Sequence, residues 1–194
     1  MIIDMHMHEM RYSGDSFLRL ENMVEIAKRR GLDGICITDH DSMGLKEFAA
    51  EYSEKTGFPI FVGIEFYSLQ GDIVAFGIED YPKERIPAQE FVDLVQAQGG
   101  MCFSVHPFRN NNRGLEENLK IVKGLDGIEV LNGSTLYEAN RKAAEYAAEL
   151  GLATVGSSDC HVPEKLGIYA TYFPREIRSV QELIRSVKRC ETLP

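Results

Sequence analysis

The chain has 194 residues, which is enough for one domain that buries most of the surface its unfolded form exposes. Hydrophobic residues make up 44% and charged residues 26% of the chain, as in ordinary water-soluble globular proteins. The formal net charge of −9 lacks the basic footprint of a nucleic-acid reader, so we expect no extended nucleic-acid surface. Bound divalent cations can reverse the local potential, so an anionic substrate is not excluded.

The spacing of the cysteines and the N-terminal sequence indicate the cellular compartment. Cys36, Cys102, Cys160 and Cys190 are widely spaced and form no CxxC pair, which argues against a thiolate zinc site and a disulfide scaffold. No basic stretch followed by an apolar run begins the chain, and no apolar run is long enough to span a bilayer. The sequence predicts a reduced, cytoplasmic protein with no membrane partner.

Short apolar runs rich in Val, Ile and Phe alternate with longer amphipathic runs. The predicted strands cover residues 1–6, 34–38, 59–63, 73–77, 101–105, 127–131, 153–156 and 169–173. The predicted helices cover residues 17–30, 44–56, 88–98, 115–122, 137–150 and 180–189. Strands that are apolar along their whole length predict burial on both faces. The alternation predicts a single α/β domain over residues 1–194, either a slightly small barrel or a doubly wound sheet.

The connection between the third and fourth predicted strands is unusually short. Only residues 66–72 intervene, and they contain Gly71. Parallel strands need a long crossover, whereas a turn joins antiparallel ones. We therefore expect an antiparallel pair here, which would distort a regular barrel.

All five histidines lie at, or just beyond, the carboxyl end of a predicted strand. They are His6, His8, His40, His106 and His161. In α/β folds the loops at that edge form the active site. The sequence therefore predicts one site that gathers all five imidazoles.

Two of the clusters have strand periodicity. Side chains alternate along a strand, so Asp4, His6 and His8 share one face. Two imidazoles in alternate positions can chelate one metal, and we expect Asp4 to hold the other ring nitrogen of a ligand histidine. Asp159 and His161 repeat this spacing after another apolar strand.

Glu65 is a carboxylate at the end of an apolar strand. Burying it without a partner would be costly, and bridging two cations removes that cost. An ordinary exposed glutamate at a strand end is the alternative. Further along the chain, Glu129 and Asn132 end the sixth predicted strand, where we expect them to line the pocket or hydrogen-bond ligand histidines.

Five motifs occur in the order found in the PHP family (polymerase and histidinol phosphatase), which the chain resembles from its first strand to about Gly167. They are Asp4-x-His6-x-His8, Thr38-Asp39-His40, Gly63-Ile64-Glu65, His106-Pro107 and Asp159-x-His161. The resemblance implies a distorted (β/α)7 barrel, two or three divalent metal ions (zinc, manganese or iron) and phosphoester hydrolysis.

The resemblance also implies which residues hold each metal. They are His6, His8, Glu65 and Asp159 for a first ion, Glu65 and His106 for a second ion that Glu65 bridges to the first, and His40 and His161 for a third.

The chain departs from the family pattern at two places. Asp72 stands where many members have a histidine; it either ligates through oxygen, favouring manganese or iron over zinc, or is a turn residue after Gly71. Many relatives have Ser-Asp-Gly after the first motif, whereas this chain has Ser13-Gly14-Asp15-Ser16. Asp15 either completes the third metal site with His40 and His161 or caps the helix predicted to start at Phe17.

These residues together predict a mechanism. Two metals sharing Glu65 would hold a bridging water as hydroxide, which attacks phosphorus. We expect Glu65, Asp159, His161 and Arg109 to be catalytic, with Arg109 gripping the phosphate through its planar guanidinium. Arg113 and Arg11 are further candidates for substrate binding, although each also suits a solvated loop arginine.

The sequence thus predicts a metal-dependent phosphoesterase that acts on a small phosphomonoester or a short nucleotide. An amidohydrolase-like reaction at a C–N or ester bond on the same metals is an alternative, although no predicted strand carries a lysine suited to carbamylation. A non-catalytic metal-binding PHP module is another. A metal-dependent turnover assay separates the enzyme from the module.

Overall fold

A computed structural model describes residues 1–194, which form nine strands and five α-helices. The strands are β1 (Ile2–Asp4), β2 (Gly34–Ile37), β3 (Ile60–Val62), β4 (Ile64–Tyr67), β5 (Asp72–Phe76), β6 (Met101–Ser104), β7 (Gly127–Asn132), β8 (Ala153–Ser157) and β9 (Thr171–Tyr172). The α-helices are α1 (Leu20–Arg29), α2 (Lys46–Thr56), α3 (Ala88–Ala97), α4 (Tyr137–Leu150) and α5 (Val180–Lys188).

The strands form two sheets. One has the order β3-β2-β1-β9 and the other the order β4-β5-β6-β7-β8. Strands β1 to β3 are parallel to one another, as are β6 to β8, whereas β9 pairs antiparallel with β1. Isolated parallel bridges, Met7 to Cys160 and His40 to Glu65, join the sheets at the carboxyl ends of their strands. The mixed α/β fold is confirmed; the strands are hydrogen-bonded as two sheets joined by single bridges, so the (β/α)7 barrel stays a prediction.

The break between the sheets has a local cause at Gly63. This residue separates β3 from β4, and a Cβ added to it would lie 2.5 Å from the carbonyl oxygen of Ala75 on β5. The backbone approaches β5 so closely here that only glycine fits. The chain therefore leaves one sheet and enters the other within a few residues, whereas the sequence predicts a strand only over residues 59–63 and no strand over β4.

An antiparallel pair joined by a short turn is observed, but it is formed by β4 and β5, where Tyr67 lies opposite Asp72, and the strand predicted over residues 59–63 (β3) instead pairs in parallel with β2. The hydroxyl of Ser68 donates to the carbonyl of Gly71 at 2.6 Å and closes the turn. Gly71 has φ 151, and an added Cβ would lie 2.6 Å from the backbone of Gly114. The turn thus holds Asp72 beside the segment that carries Arg113.

Two predicted helices differ from the observed ones. Helix α1 begins at Leu20 rather than at Phe17, because the preceding backbone bonds its neighbours instead: Phe17 donates to the carbonyl of His161 at 2.9 Å, and Leu18 accepts from Met10 at 2.8 Å. The segment predicted as a helix over 115–122 is a 3₁₀ helix, Glu116–Lys120. Its first residue has φ 50, which an α-helix excludes.

The core lies on both faces of the sheets. Every residue of β2, β5 and β6 is buried, which confirms the prediction of strands covered on two sides. Phe66 of β4 stacks on Phe91 of α3 at 4.1 Å between ring centroids, and burial of each ring contributes about 1.5–3 kcal/mol. All four cysteines are free. No helix is long and apolar enough to cross a membrane.

Candidate metal centre

A pocket of about 150 Å³ opens at the carboxyl ends of the strands, where the two sheets meet. Every residue that lines it is polar or charged. They are Asp15, His40, Glu65, Asp72, His106, Arg109, Asn111, Arg113, Asp159 and His161. The pocket therefore gathers most of the residues that the sequence singles out.

His6, His8, Glu65 and Asp159, which we call the inner cluster, meet beneath this pocket and are at most 2% exposed. The Nε2 atoms of the two histidines lie 3.0 Å apart. The Asp159 Oδ1 atom lies 3.3 Å from Nε2 of His8 and 3.7 Å from Nε2 of His6. The ligand atoms of His6, His8 and Glu65 all lie within 4.8 Å of one another, and imidazole nitrogens mixed with carboxylate oxygens suit a shared divalent cation.

Glu65 connects all parts of the site. Its Oε1 lies 2.9 Å from Nε2 of His106 and 3.5 Å from Nε2 of His6. Its Oε2 lies 2.7 Å from Nδ1 of His40 and 3.5 Å from Nε2 of His8. Burial alone would raise the pKa of Glu65, but the adjacent His6 and the hydrogen bond from His106 hold it well below its usual range. The alternative of an exposed strand-end glutamate is wrong.

Glu65, Asp72 and His106 form the middle cluster, in which the ligand atoms lie within 4.8 Å of one another. Asp72 begins β5 and is 1% exposed, so it is more than a turn residue. Its Oδ2 lies 3.8 Å from Nε2 of His106. Burial and the nearby Glu65 raise the pKa of Asp72 to about 7.

Asp15, His40 and His161 form the outer cluster at the mouth of the pocket. The Asp15 Oδ2 atom lies 3.3 Å from Nε2 of His40 and 3.4 Å from Nε2 of His161. Helix α1 begins five residues after Asp15, and its N-cap is Arg19, so Asp15 does not cap the helix. Of the two roles left open by the sequence, the structure supports the one beside the histidines.

Unpartnered buried atoms show that this donor set fits divalent cations. Nδ1 of His40 and Oε2 of Glu65 lie 2.7 Å apart but are not aligned for a hydrogen bond, and the buried Oδ1 of Asp72 has no hydrogen-bond partner. Buried polar atoms are normally paired, and a divalent cation would pair these atoms. Imidazole nitrogens mixed with carboxylate oxygens suit zinc, manganese or iron.

The carboxylate that orients the histidines is Glu129 and not Asp4. Glu129 is fully buried; its Oε1 accepts from Nδ1 of His6 at 3.2 Å and its Oε2 accepts from the backbone N–H of His106 at 2.7 Å. This contact turns Nε2 of His6 toward the pocket. Asp4 instead accepts backbone N–H bonds from Ser158 at 2.9 Å and Gly167 at 3.0 Å. It thus ties β1 to the loop after β8.

The sequence reasoning missed the partners of His8. Its Nδ1 lies 3.3 Å from the hydroxyl of Ser13, which donates to Oδ1 of Asp39 at 2.7 Å. Asp39 is part of the Thr38-Asp39-His40 motif, and burial raises its pKa to about 6. The motif was the signal that could have pointed to this buried carboxylate.

Two of the three candidate arginines line the pocket and the third does not. Arg109 lines the pocket, contacts Asp159, and donates to Asn132 at 2.6 Å and Thr135 at 3.0 Å. Arg113 lines it too and pairs with Asp72 at 2.6 Å. Arg11 lies elsewhere: its guanidinium is 4.2 Å from the Phe48 ring and 3.8 Å from surface Glu21. We therefore remove Arg11 from the substrate-binding candidates.

Two ligand residues have strained backbones. His106 has φ 31 and Asp159 has φ 50, in the left-handed region that side chains other than glycine rarely adopt. Such strain costs on the order of 1–3 kcal/mol per residue and concentrates at functional sites. His106 lies two residues after the end of β6, and Asp159 lies two residues after the end of β8. The unusual backbone conformation therefore changes the direction of each side chain just after its strand ends.

Comparisons with known proteins agree with this geometry. The family model described as PHP-associated matches residues 137–192, which include Asp159 and His161. An uncharacterized protein from Methanocaldococcus jannaschii is 28% identical over 140 residues, which cover 66% of this chain and 80% of that protein.

Solved structures share the fold at low identity. A protein from Bifidobacterium adolescentis, provisionally named a metal-dependent phosphoesterase, superimposes with a TM-score of 0.73 at 20% identity, over 87% of this chain and 91% of its own. An amidohydrolase from Chromobacterium violaceum superimposes with a TM-score of 0.71 at 18% identity, over 98% of this chain and 97% of its own. The lesion-specific endonuclease from Pyrococcus furiosus superimposes with a TM-score of 0.72 at 16% identity, over 97% of this chain but 56% of the endonuclease.

Three observations point in the same direction. The five motifs converge on one pocket. The segment that matches the PHP-associated family model carries Asp159 and His161, and the fold is shared with a structure named as a metal-dependent phosphoesterase. The chain is thus similar to PHP-associated proteins over residues 137–192.

Proposed function

We propose that the protein is a metal-dependent phosphoesterase that hydrolyses a small phosphomonoester or a short nucleotide. The observation that carries the proposal is the Glu65 carboxylate, whose oxygens lie within 3.5 Å of four imidazoles in a pocket that also holds two arginines. The imidazoles belong to His6, His8, His40 and His106. Side chains that could bind a metal and arginines that could bind a phosphate therefore line the same pocket.

The inner and middle clusters would hold two divalent cations, with Glu65 between them. Cations there lower the pKa of water and offset negative charge on a phosphate. Glu129 keeps His6 aimed at the first ion, and the strained backbone of Asp159 aims its carboxylate at the same point. The outer cluster would hold a third, weaker cation. Oxygen donors such as Asp72 favour manganese or iron over zinc.

Arg109 would bind the phosphate oxygens. Thr135 and Asn132 hold its guanidinium in place, so little side-chain entropy is lost when it binds an anion. Arg109 also contacts Asp159, which links the phosphate grip to the inner cluster.

The size of the pocket supports a small substrate. A volume of about 150 Å³ accommodates a phosphate group, and the rest of the substrate must extend outward. A neighbouring groove of about 600 Å³ shares Arg109 and has Phe108, Thr135 and Leu136 in its walls. A partly apolar alcohol portion, such as a nucleoside, would fit there.

The direct test is a screen of phosphorylated metabolites and nucleotides with protein stripped by chelator and reloaded with manganese, zinc or iron. We expect turnover of at least one phosphoester that depends on added metal and disappears in Glu65→Gln. Hydrolysis that persists in the stripped protein would contradict the proposal.

A second candidate is hydrolysis of a C–N or carboxylic ester bond, favoured by the amidohydrolase that shares the fold over 97% of its own chain. An amide and ester panel run beside the phosphoester panel separates the two reactions. Tight metal binding with no turnover on either panel would indicate a non-catalytic metal-binding module.

A further inference from the structure

The two oxygens of the Asp72 carboxylate have different surroundings. The Nε atom of Arg113 donates to Oδ2 at 2.6 Å. The other oxygen, Oδ1, is buried and has no hydrogen-bond partner. A charged oxygen without a partner in a buried setting is costly. Arg113 therefore compensates half of this carboxylate, and a second cation would be needed for the other half.

Asp72 is shared between two kinds of cation. It contributes a ligand atom to the middle cluster with Glu65 and His106, and the same side chain forms the ion pair with Arg113. A metal ion at the middle cluster and the guanidinium of Arg113 would both be neutralised in part by the single negative charge of the Asp72 carboxylate.

Arg113 is fixed beside Asp72. Its guanidinium carbon lies 4.0 Å from the centroid of the Tyr67 ring, a cation–π contact, and its carbonyl accepts the backbone N–H of Asp72 at 2.7 Å. The guanidinium stays protonated at every pH the protein meets. It is therefore a permanent positive charge at the wall of the pocket.

We propose that Arg113 competes with a metal ion for Asp72 and so weakens metal binding at the middle cluster. An ion that takes the free Oδ1 must approach a fixed positive charge and share with it the single negative charge of the carboxylate. An ion that takes Oδ2 must also displace a charge-assisted hydrogen bond. In the inner cluster Arg109 likewise contacts Oδ2 of Asp159, but Oδ1 faces His6 and His8, so two imidazoles and a carboxylate oxygen are still available to an ion. We therefore expect the inner cluster to fill first. Arg113 then sets the metal concentration at which the second ion binds.

The test is calorimetric titration of chelator-stripped protein with manganese, which reports the successive dissociation constants without any substrate. We assign the first constant to the inner cluster, the second to the middle cluster and the third to the outer cluster. In Arg113→Ala the second constant should tighten roughly 10–100-fold, since the guanidinium no longer opposes binding, while the first constant stays unchanged. Arg85→Ala is the matched control. Arg85 contacts the same Tyr67 ring at 3.7 Å but donates to the carbonyl of Ser68, so neither constant should move.

A double-mutant cycle tests whether the effect passes through Asp72. In the Asp72→Asn background, removing Arg113 should change the second constant by less than about threefold. Equal tightening in both backgrounds would overturn the proposal, because general electrostatics would then suffice. An unchanged or weakened second constant in Arg113→Ala that melts at the wild-type temperature would overturn it too.

If the alanine variant loses stability, Arg113→Gln keeps part of the aliphatic stem and a hydrogen-bond donor but removes the charge, and it should tighten the second constant as well. No tightening in a folded Arg113→Gln overturns the proposal. The inference rests on the metal centre of the proposed function, but its readout is metal affinity. Failure to hydrolyse any phosphoester would therefore refute the proposed function without touching this result.

Discussion

The inner and outer clusters are built from the same residue types but in opposite surroundings. The side chains of the inner cluster are 0–2% exposed, and His6 and His8 each have a second polar contact, to Glu129 and Ser13. In the outer cluster Asp15 is 61% exposed, His40 28% and His161 25%. The inner ligands are held before any ion arrives, whereas Asp15 is free to move in solvent.

This difference predicts an order of affinity. Ligands locked by packing and second contacts lose little entropy when a metal binds, and burial removes water as a competitor. A solvent-exposed carboxylate offers weaker and more readily screened attraction. We therefore expect the inner ion to be retained through purification and the outer ion to exchange freely. The residue types of a motif alone therefore do not determine the order of metal affinity among candidate sites.

Glu65→Gln should have the largest effect, because Glu65 touches both the inner and the outer histidines. A neutral amide cannot bridge two cations well, so we expect activity to fall at least roughly 1,000-fold and metal content to drop below one equivalent. Elemental analysis and turnover on the same preparation measure both. Retention of two ions in this variant would show that Glu65 is not the bridge.

Arg109→Ala separates substrate binding from metal binding. We expect turnover or apparent affinity to fall roughly 10–1,000-fold, the usual cost of losing a charge-assisted contact in a dry site. Metal content should stay at the wild-type value. Arg141→Ala is the control, since Arg141 pairs with Glu138 and Glu145 on the exposed face of α4. Wild-type kinetics in Arg109→Ala would make Arg109 a structural residue only.

Glu129→Gln should affect the inner cluster most, because Glu129 contacts the ring of His6 but only the backbone N–H of His106. The amide keeps the shape but weakens the hold on the ring of His6, so we expect roughly 10–100-fold weaker binding of the tightest ion. The outer ion should not change. Glu145→Gln, on the solvent side of α4, is the matched control and should leave both affinities unchanged. Equal loss at both ions would mean that the inner and outer clusters are not independent.

The sequence predicts what local pattern determines. Helix α4 has the predicted bounds, because Gly151 (φ 66) ends it in the left-handed conformation. The histidines gather as predicted, because parallel strands end at one edge. Strand β4 was not predicted, because the close approach at Gly63 that starts a new strand there is a tertiary contact.

The partners of the ligands could not be predicted. Alternation places Asp4 on the same face as His6, yet the His6 ring meets Glu129 of β7, which lies in the other sheet. Which carboxylate reaches a ring depends on how the two sheets are joined, and strand periodicity carries no information about that. The same holds for Arg11 and Arg113, since loop paths decide which of them enters the pocket.

Asp15→Asn should have the smallest effect and tests the exposed side of the comparison. The substitution removes one negative charge from a solvent-exposed position 3.3 Å from His40 and 3.4 Å from His161. We expect about a tenfold loss of activity at low metal, because a charge-assisted contact to the outer ion is lost, and partial rescue as metal is raised. Elemental analysis should show that the inner and middle ions remain bound.

The control for the change in net charge is Asp93→Asn, because Asp93 is an exposed aspartate on α3. A variant with wild-type rates at low metal would exclude Asp15 as a ligand. Loss of activity that no metal concentration rescues would instead give Asp15 a role in contact with substrate.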